Sequence, residues 1–74
     1  MYLVQSISLR RDKYSKGEAM EWIHRHGYKP IKDAHVTQHF YQFRLVDPER
    51  LKGGRFRTID LGQDGHMIVF YSGH

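Results

Sequence analysis

The chain has no cysteine, which excludes a disulfide framework and a thiolate zinc site as sources of stability. It has only two prolines and a single tryptophan, and no apolar run approaches the roughly 18 residues that a bilayer span requires. The opening Met1-Tyr2-Leu3-Val4-Gln5 carries neither the basic nor the long apolar region of a secretory signal. An intracellular location is therefore expected, with no membrane partner. No Gly-x-x-x-x-Gly-Lys phosphate loop and no Gly-x-Ser-x-Gly nucleophile elbow occurs. Asp60 and Asp64 fall on different kinds of element, a strand and a turn, so paired-carboxylate chemistry has no support. A non-enzymatic protein without a cofactor is expected.

What is present points to one folded domain. Seventy-four residues leave no room for a second, and aromatic content of 14% argues against disorder. Scaling relations give a transfer term of roughly 115 kcal/mol on folding against roughly 110 kcal/mol of ordering entropy. The two nearly cancel, so the fold rests on a compact core or on a partner.

Leu3 to Leu9 is short, alternates toward its end and is rich in β formers, which reads as a first strand. Ser15 followed three residues later by Glu18 is a capping box, with Tyr14 and Ala19 placed as a hydrophobic staple. A helix starts there. Ala19, Trp22, Ile23 and His26 share one face, Glu21 and Arg25 form an i,i+4 pair, and Gly27 supplies the left-handed residue that ends the helix. His26 is expected half-buried near that end. Tyr28 to Ala34, with Pro30, reads as an extended connection. His39 to Val46 is aromatic-rich and strand-like, ended by Asp47-Pro48, and Glu49 to Arg55 reads as a mobile basic loop around Gly53-Gly54. Phe56 to Leu61 is a third strand, Gly62-Gln63-Asp64-Gly65 a hairpin connection, and His66 to Tyr71 a fourth strand. The order β-α-β-β-β implies an α+β fold, an antiparallel sheet with one helix packed on one face.

Four groups of residues carry a resemblance: Val4-Gln5-Ser6-Ile7, Ala19-x-x-Trp22-Ile23-x-x-His26-Gly27-Tyr28-Lys29, Phe40-x-x-Phe43-Arg44, and Phe56-Arg57-Thr58-Ile59-x-Leu61-Gly62. Together they resemble a small uncharacterised domain of tailed-phage and giant-virus proteins, sometimes encoded near head-maturation genes. In that family arginines recur in the contexts of Arg44 and Arg57. The resemblance implies a viral or phage-derived protein, placed in host cytoplasm or nucleus or in a virion, and implies no reaction.

Six histidines raise the question of a metal. His24 and His26 lie about 200° apart on a helix, and His35 and His39 share a face only in a helix that Val36-Thr37 disfavours. No metal site is expected. The twelve Lys and Arg outnumber eight Asp and Glu, and the basic residues are the better clue. With Tyr41, Phe43 and Leu45 toward the helix, Gln42 and Arg44 point away, and Arg57 on the following strand is expected to lie beside Arg44. Arg50, Lys52 and Arg55 extend that face, and Tyr41, Phe40 or Tyr71 offer stacking surfaces to an unpaired base. Non-specific, salt-sensitive association with nucleic acid or nucleoprotein follows. In the bland alternative Arg44 pairs with Asp60 or Asp47 and the loop is merely solvated.

Met67 to Tyr71 is apolar on both sides, while one helix covers only one face. A homodimer, or a viral or host protein docking on Ile68 and Phe70, would cover the other. The second functional reading is accordingly an assembly module that docks on a capsid or host protein.

Overall fold

The computed structural model describes residues 2–72; Met1, Gly73 and His74 lie outside that range. The elements are β1 (Tyr2–Arg10), α1 (Lys16–Arg25), β2 (His35–Val36), β3 (Phe40–Arg44), β4 (Arg55–Asp60) and β5 (Gly65–Tyr71), with 3-10 turns at Pro48–Arg50 and Gly62–Asp64. The strands form one antiparallel sheet in the order β2-β3-β1-β5-β4. This is the α+β architecture expected, with one strand more. The short β2, in a segment read as a plain connection, pairs His35 with Gln42 and Val36 with Tyr41.

β1 is central because it is buried on both sides from Gln5 to Leu9. Its odd-numbered residues Ile7 and Leu9 meet Phe43 of β3 and Ala19 and Ile23 of α1, and all five are fully buried. Opposite them the sheet presents Ser6 and Ser8, with no helix over them. Gln5 falls at a register shift between the Val4–Val69 and Ser6–Ile68 pairs. Its carbonyl accepts the N–H of Leu45 at 2.8 Å and of Val46 at 3.3 Å, and its Nε2 donates to the Val46 carbonyl at 3.2 Å. The irregularity thus ties the start of β1 to the chain leaving β3.

The helix begins and ends as its sequence dictates. Ser15 Oγ accepts the Glu18 N–H at 3.2 Å and Glu18 Oε1 accepts the Ser15 N–H at 3.0 Å, completing the capping box. Gly27 stops the helix at φ +79°. His26 departs from expectation: it is exposed, and its ring stacks on Trp22 at 3.9 Å while Nδ1 lies 2.8 Å from the Trp22 carbonyl. Its neighbour Ile23 takes the buried place because that side of the last turn faces the sheet.

A polar latch fastens the approach to α1 onto the turn between β4 and β5. Lys13 Nζ donates to Asp64 Oδ1 at 2.5 Å, and Tyr14 OH donates to the same oxygen at 2.9 Å. These two bonds, Lys13 first, hold the Asp64 carboxyl below its ordinary range. The bond to Asp64 raises Lys13, and Tyr14 is raised by desolvation and then by Asp64. A depressed carboxyl contributes stability above its unfolded pKa and loses it as pH falls; the raised Lys13 and Tyr14 contribute below theirs and lose it as pH rises. Thermal stability should therefore be level from about pH 4 to about pH 10 and fall outside that window. Melting curves across pH check this: Asp64→Asn should flatten the acid limb, and an unchanged limb would show that the latch contributes nothing.

Candidate nucleic-acid interface

The face of the sheet away from α1 is a grid of side chains set by register. Across the middle run His35, Gln42, Ser8, His66 and Asp60, one from each strand. The next row holds Arg44, Ser6, Ile68 and Thr58. Phe40 meets His66 edge to face at 5.0 Å, and Phe56 meets Phe70 at 5.4 Å. Ser6 and Ser8 are the small residues at the centre of this grid, 2% and 4% exposed. Ser6 Oγ is buried and has no hydrogen-bond partner among the described residues.

Arg44 is on this open face and exposed. Arg57 is not beside it. Arg57 pairs with Val69, which shares the helix side with Met67, whereas Arg44 pairs with Ser6 on the open side. β1 and β5 also intervene between β3 and β4, so about 14 Å of sheet separates the two strands. Consecutive strands are not neighbours here because residues 45–54 carry the chain past the ends of β1 and β5. Tyr41 is corrected too. It pairs with Leu9 on the helix side, packs against the core and has Arg11 over its ring at 5.6 Å, so it is no platform on the open face.

The basic residues gather instead along one continuous stretch: Arg44 at the end of β3, Arg50 and Lys52 in the crossover, Arg55 and Arg57 on the edge strand β4. All five are exposed, and among the described residues none forms an ion pair or a side-chain hydrogen bond. The acidic partners considered for Arg44 are engaged as turn caps: Asp47 Oδ1 accepts the Glu49 N–H at 3.1 Å, and Asp60 Oδ1 accepts the Gly62 N–H at 2.7 Å. By contrast Arg10 is paired with Asp12, Lys13 with Asp64 and Arg25 with Glu21.

Aromatic rings flank these cations. Tyr2 is 78% exposed and stacks on Tyr71 at 5.9 Å, and Tyr71 lies opposite Arg55 in the β4–β5 register. Phe56, on the other face of β4, is 51% exposed. Tyr71 was singled out from the sequence as a stacking surface; Tyr2 and Phe56 were not. Their signal is the strand alternation at the two edges of the sequence pattern, readable only once Tyr2 is known to pair with Tyr71.

The expected apolar docking face loses its centre. Phe70 is 2% exposed, covered by Phe56 and by the approach of Gly54, where a Cβ would collide with the Phe70 ring. Ile68 is only half-buried. The crossover thus covers, from within the chain, part of the surface for which a partner was expected. No group of three or more metal-ligating side chains is found among the described residues, and no described helix is long and apolar enough to cross a membrane. Comparison with family models, with curated proteins and with solved structures gives no match.

Proposed function

We propose that this chain is a non-enzymatic accessory protein, of the viral or phage type its sequence pattern resembles, that binds single-stranded nucleic acid without sequence-reading contacts along its basic stretch. The observation that carries the reading is the set of five exposed cations from Arg44 to Arg57 that have no ion-pair partner among the described residues. Unpaired arginines beside exposed rings suit a strand whose phosphates are neutralised while its bases stack. Tyr2 and Phe56 supply such rings at the two faces of one end. A duplex, whose bases are already stacked, draws nothing from them.

Titrating fluorescent single- and double-stranded oligonucleotides tests this. Five phosphate contacts to a single strand give a log–log salt slope of about −3.5, or about a hundredfold weakening between 50 and 200 mM salt. Arg44→Ala and Arg57→Ala should each reduce that slope by about 0.7. Absence of binding at low salt would sink the proposal, and binding indifferent to salt would favour apolar docking on a protein.

A further inference from the structure

At the end of the sheet opposite the basic crossover, the open face sinks into a cavity of about 680 Å³. Phe40, His66, Thr58 and Asp60 line it from the strands, with Arg10 and Arg11 among the residues at its rim. The volume falls in the range of roughly 300–1,000 Å³ typical of small-ligand sites. The polar groups around it are unequally engaged. Asp12 is occupied by Arg10, which donates from Nε at 3.0 Å and from Nη2 at 2.6 Å. Asp60 uses Oδ1 for the Gly62 N–H, and among the described residues its Oδ2 has no partner. Among the described residues Arg10 keeps Nη1 unspent, whereas Arg11 carries its guanidinium over the Tyr41 ring on the helix side and donates from Nη1 to the carbonyls of Thr37 and Gln38.

The cavity therefore offers one carboxylate to accept, the Arg10 guanidinium with a donor to spare, and the aromatic pair Phe40–His66 as a wall. A ligand that fits brings two adjacent N–H donors for the carboxylate, an acceptor for an arginine and a flat surface for the rings. Among the nucleobases only guanine has that edge: N1–H and the N2 amino group side by side, with O6 next to them. Adenine and cytosine pair one amino donor with a ring acceptor, which a carboxylate repels, and uracil has a single donor. Phe40 stands two residues along β3 from Gln42, which with Arg44, His35 and Lys32 borders a second, smaller hollow on the same face. A strand held at Arg44 thus runs along β3 toward the cavity, which Phe40 lines four residues away, two strand repeats or about 14 Å.

We propose that the Phe40–His66–Asp60 cavity receives an unpaired guanine base, carried on a strand or as a free nucleotide. The strand-borne form rests on the nucleic-acid reading above; the free-nucleotide form does not. The test compares an all-thymine single strand with the same strand bearing one central guanine or one central adenine, alongside titrations of GMP, AMP, CMP and UMP. The guanine strand should bind at least about tenfold more tightly than the other two, and GMP should bind where the other mononucleotides do not. Asp60→Asn keeps the oxygen that caps Gly62, so the fold persists, verified by its melting curve. It should erase the guanine preference and leave the all-thymine affinity unchanged.

Equal affinity for all three strands, with no GMP binding, overturns the cavity assignment while leaving phosphate binding intact. Equal gains from guanine and adenine, or a preference that survives Asp60→Asn, overturn the role of the carboxylate and with it the proposal. If no strand binds but GMP does, the cavity assignment stands in its free-nucleotide form and the strand-binding reading falls.

Discussion

Replacing Gly65 with alanine should cost roughly 2–6 kcal/mol, a large loss for a single added methyl group. Gly65 opens β5 opposite Leu9 at φ +142°, ψ −137°, a region that residues with a side chain scarcely enter. A Cβ at this site would overlap the Ser8 carbonyl oxygen and lie 3.1 Å from the Leu9 Cα. Both obstacles are backbone of the central strand, so neither swings aside. Strain of about 1–3 kcal/mol and overpacking of about 1–3 kcal/mol then act together. Gly62 is the matching control, with φ +71° but open space where its Cβ would stand. Gly62→Ala should cost only about 1–2 kcal/mol, the price of the left-handed backbone alone. Urea melts of the two variants separate the effects; equal losses would mean that the Ser8 contact is relieved by a shift of β5.

Phe43→Ala is the second large effect. Phe43 is fully buried where β3 meets β1 and α1, among Ile7, Leu9, Ala19 and Ile23. Emptying that position removes the largest side chain common to the two layers and should cost about 3–5 kcal/mol. A domain of this size has a total stability of about 4–11 kcal/mol, so the variant should be substantially unfolded at 37 °C by far-ultraviolet circular dichroism. Phe43→Leu, which refills most of the space, should retain a cooperative transition with a loss of about 1–1.5 kcal/mol. A folded, cooperative Phe43→Ala protein would mean that α1 is held mainly by its latch at Asp64 and not by the core.

These two residues also mark what a sequence can disclose. Phe43 was readable as a core residue, because its strand alternates and its neighbours Tyr41 and Leu45 agree with it. The helix was equally legible from Ser15, Glu18 and Gly27, since capping and termination are local chemistry. Gly65 was readable only as a turn residue, for its closeness to Ser8 arises from a strand far away in the chain. The same reason hid the separation of Arg44 from Arg57. Alternation fixes which residues share a face within one strand, but the order of strands depends on where a long crossover lands, and residues 45–54 carry no pattern that reveals it. The basic residues could be singled out from the sequence, while their arrangement, a stretch around one end in place of a pair on one face, required the register.

The pairing of β1 with β5 joins Tyr2 to Tyr71, almost the full described length of the chain. α1 and the β1–β3 pairing can assemble from nearer segments, yet β1 then keeps one unpaired edge until β5 arrives. Loop-closure entropy must be surrendered before those contacts repay it, which places the slow step of folding late and at the middle of the sheet. During that interval the exposed edge of β1 carries Ile7 and Leu9, which invites pairing with a second nascent chain. The central strand that organises the finished sheet is thus also the element most vulnerable to misassembly before β5 closes over it.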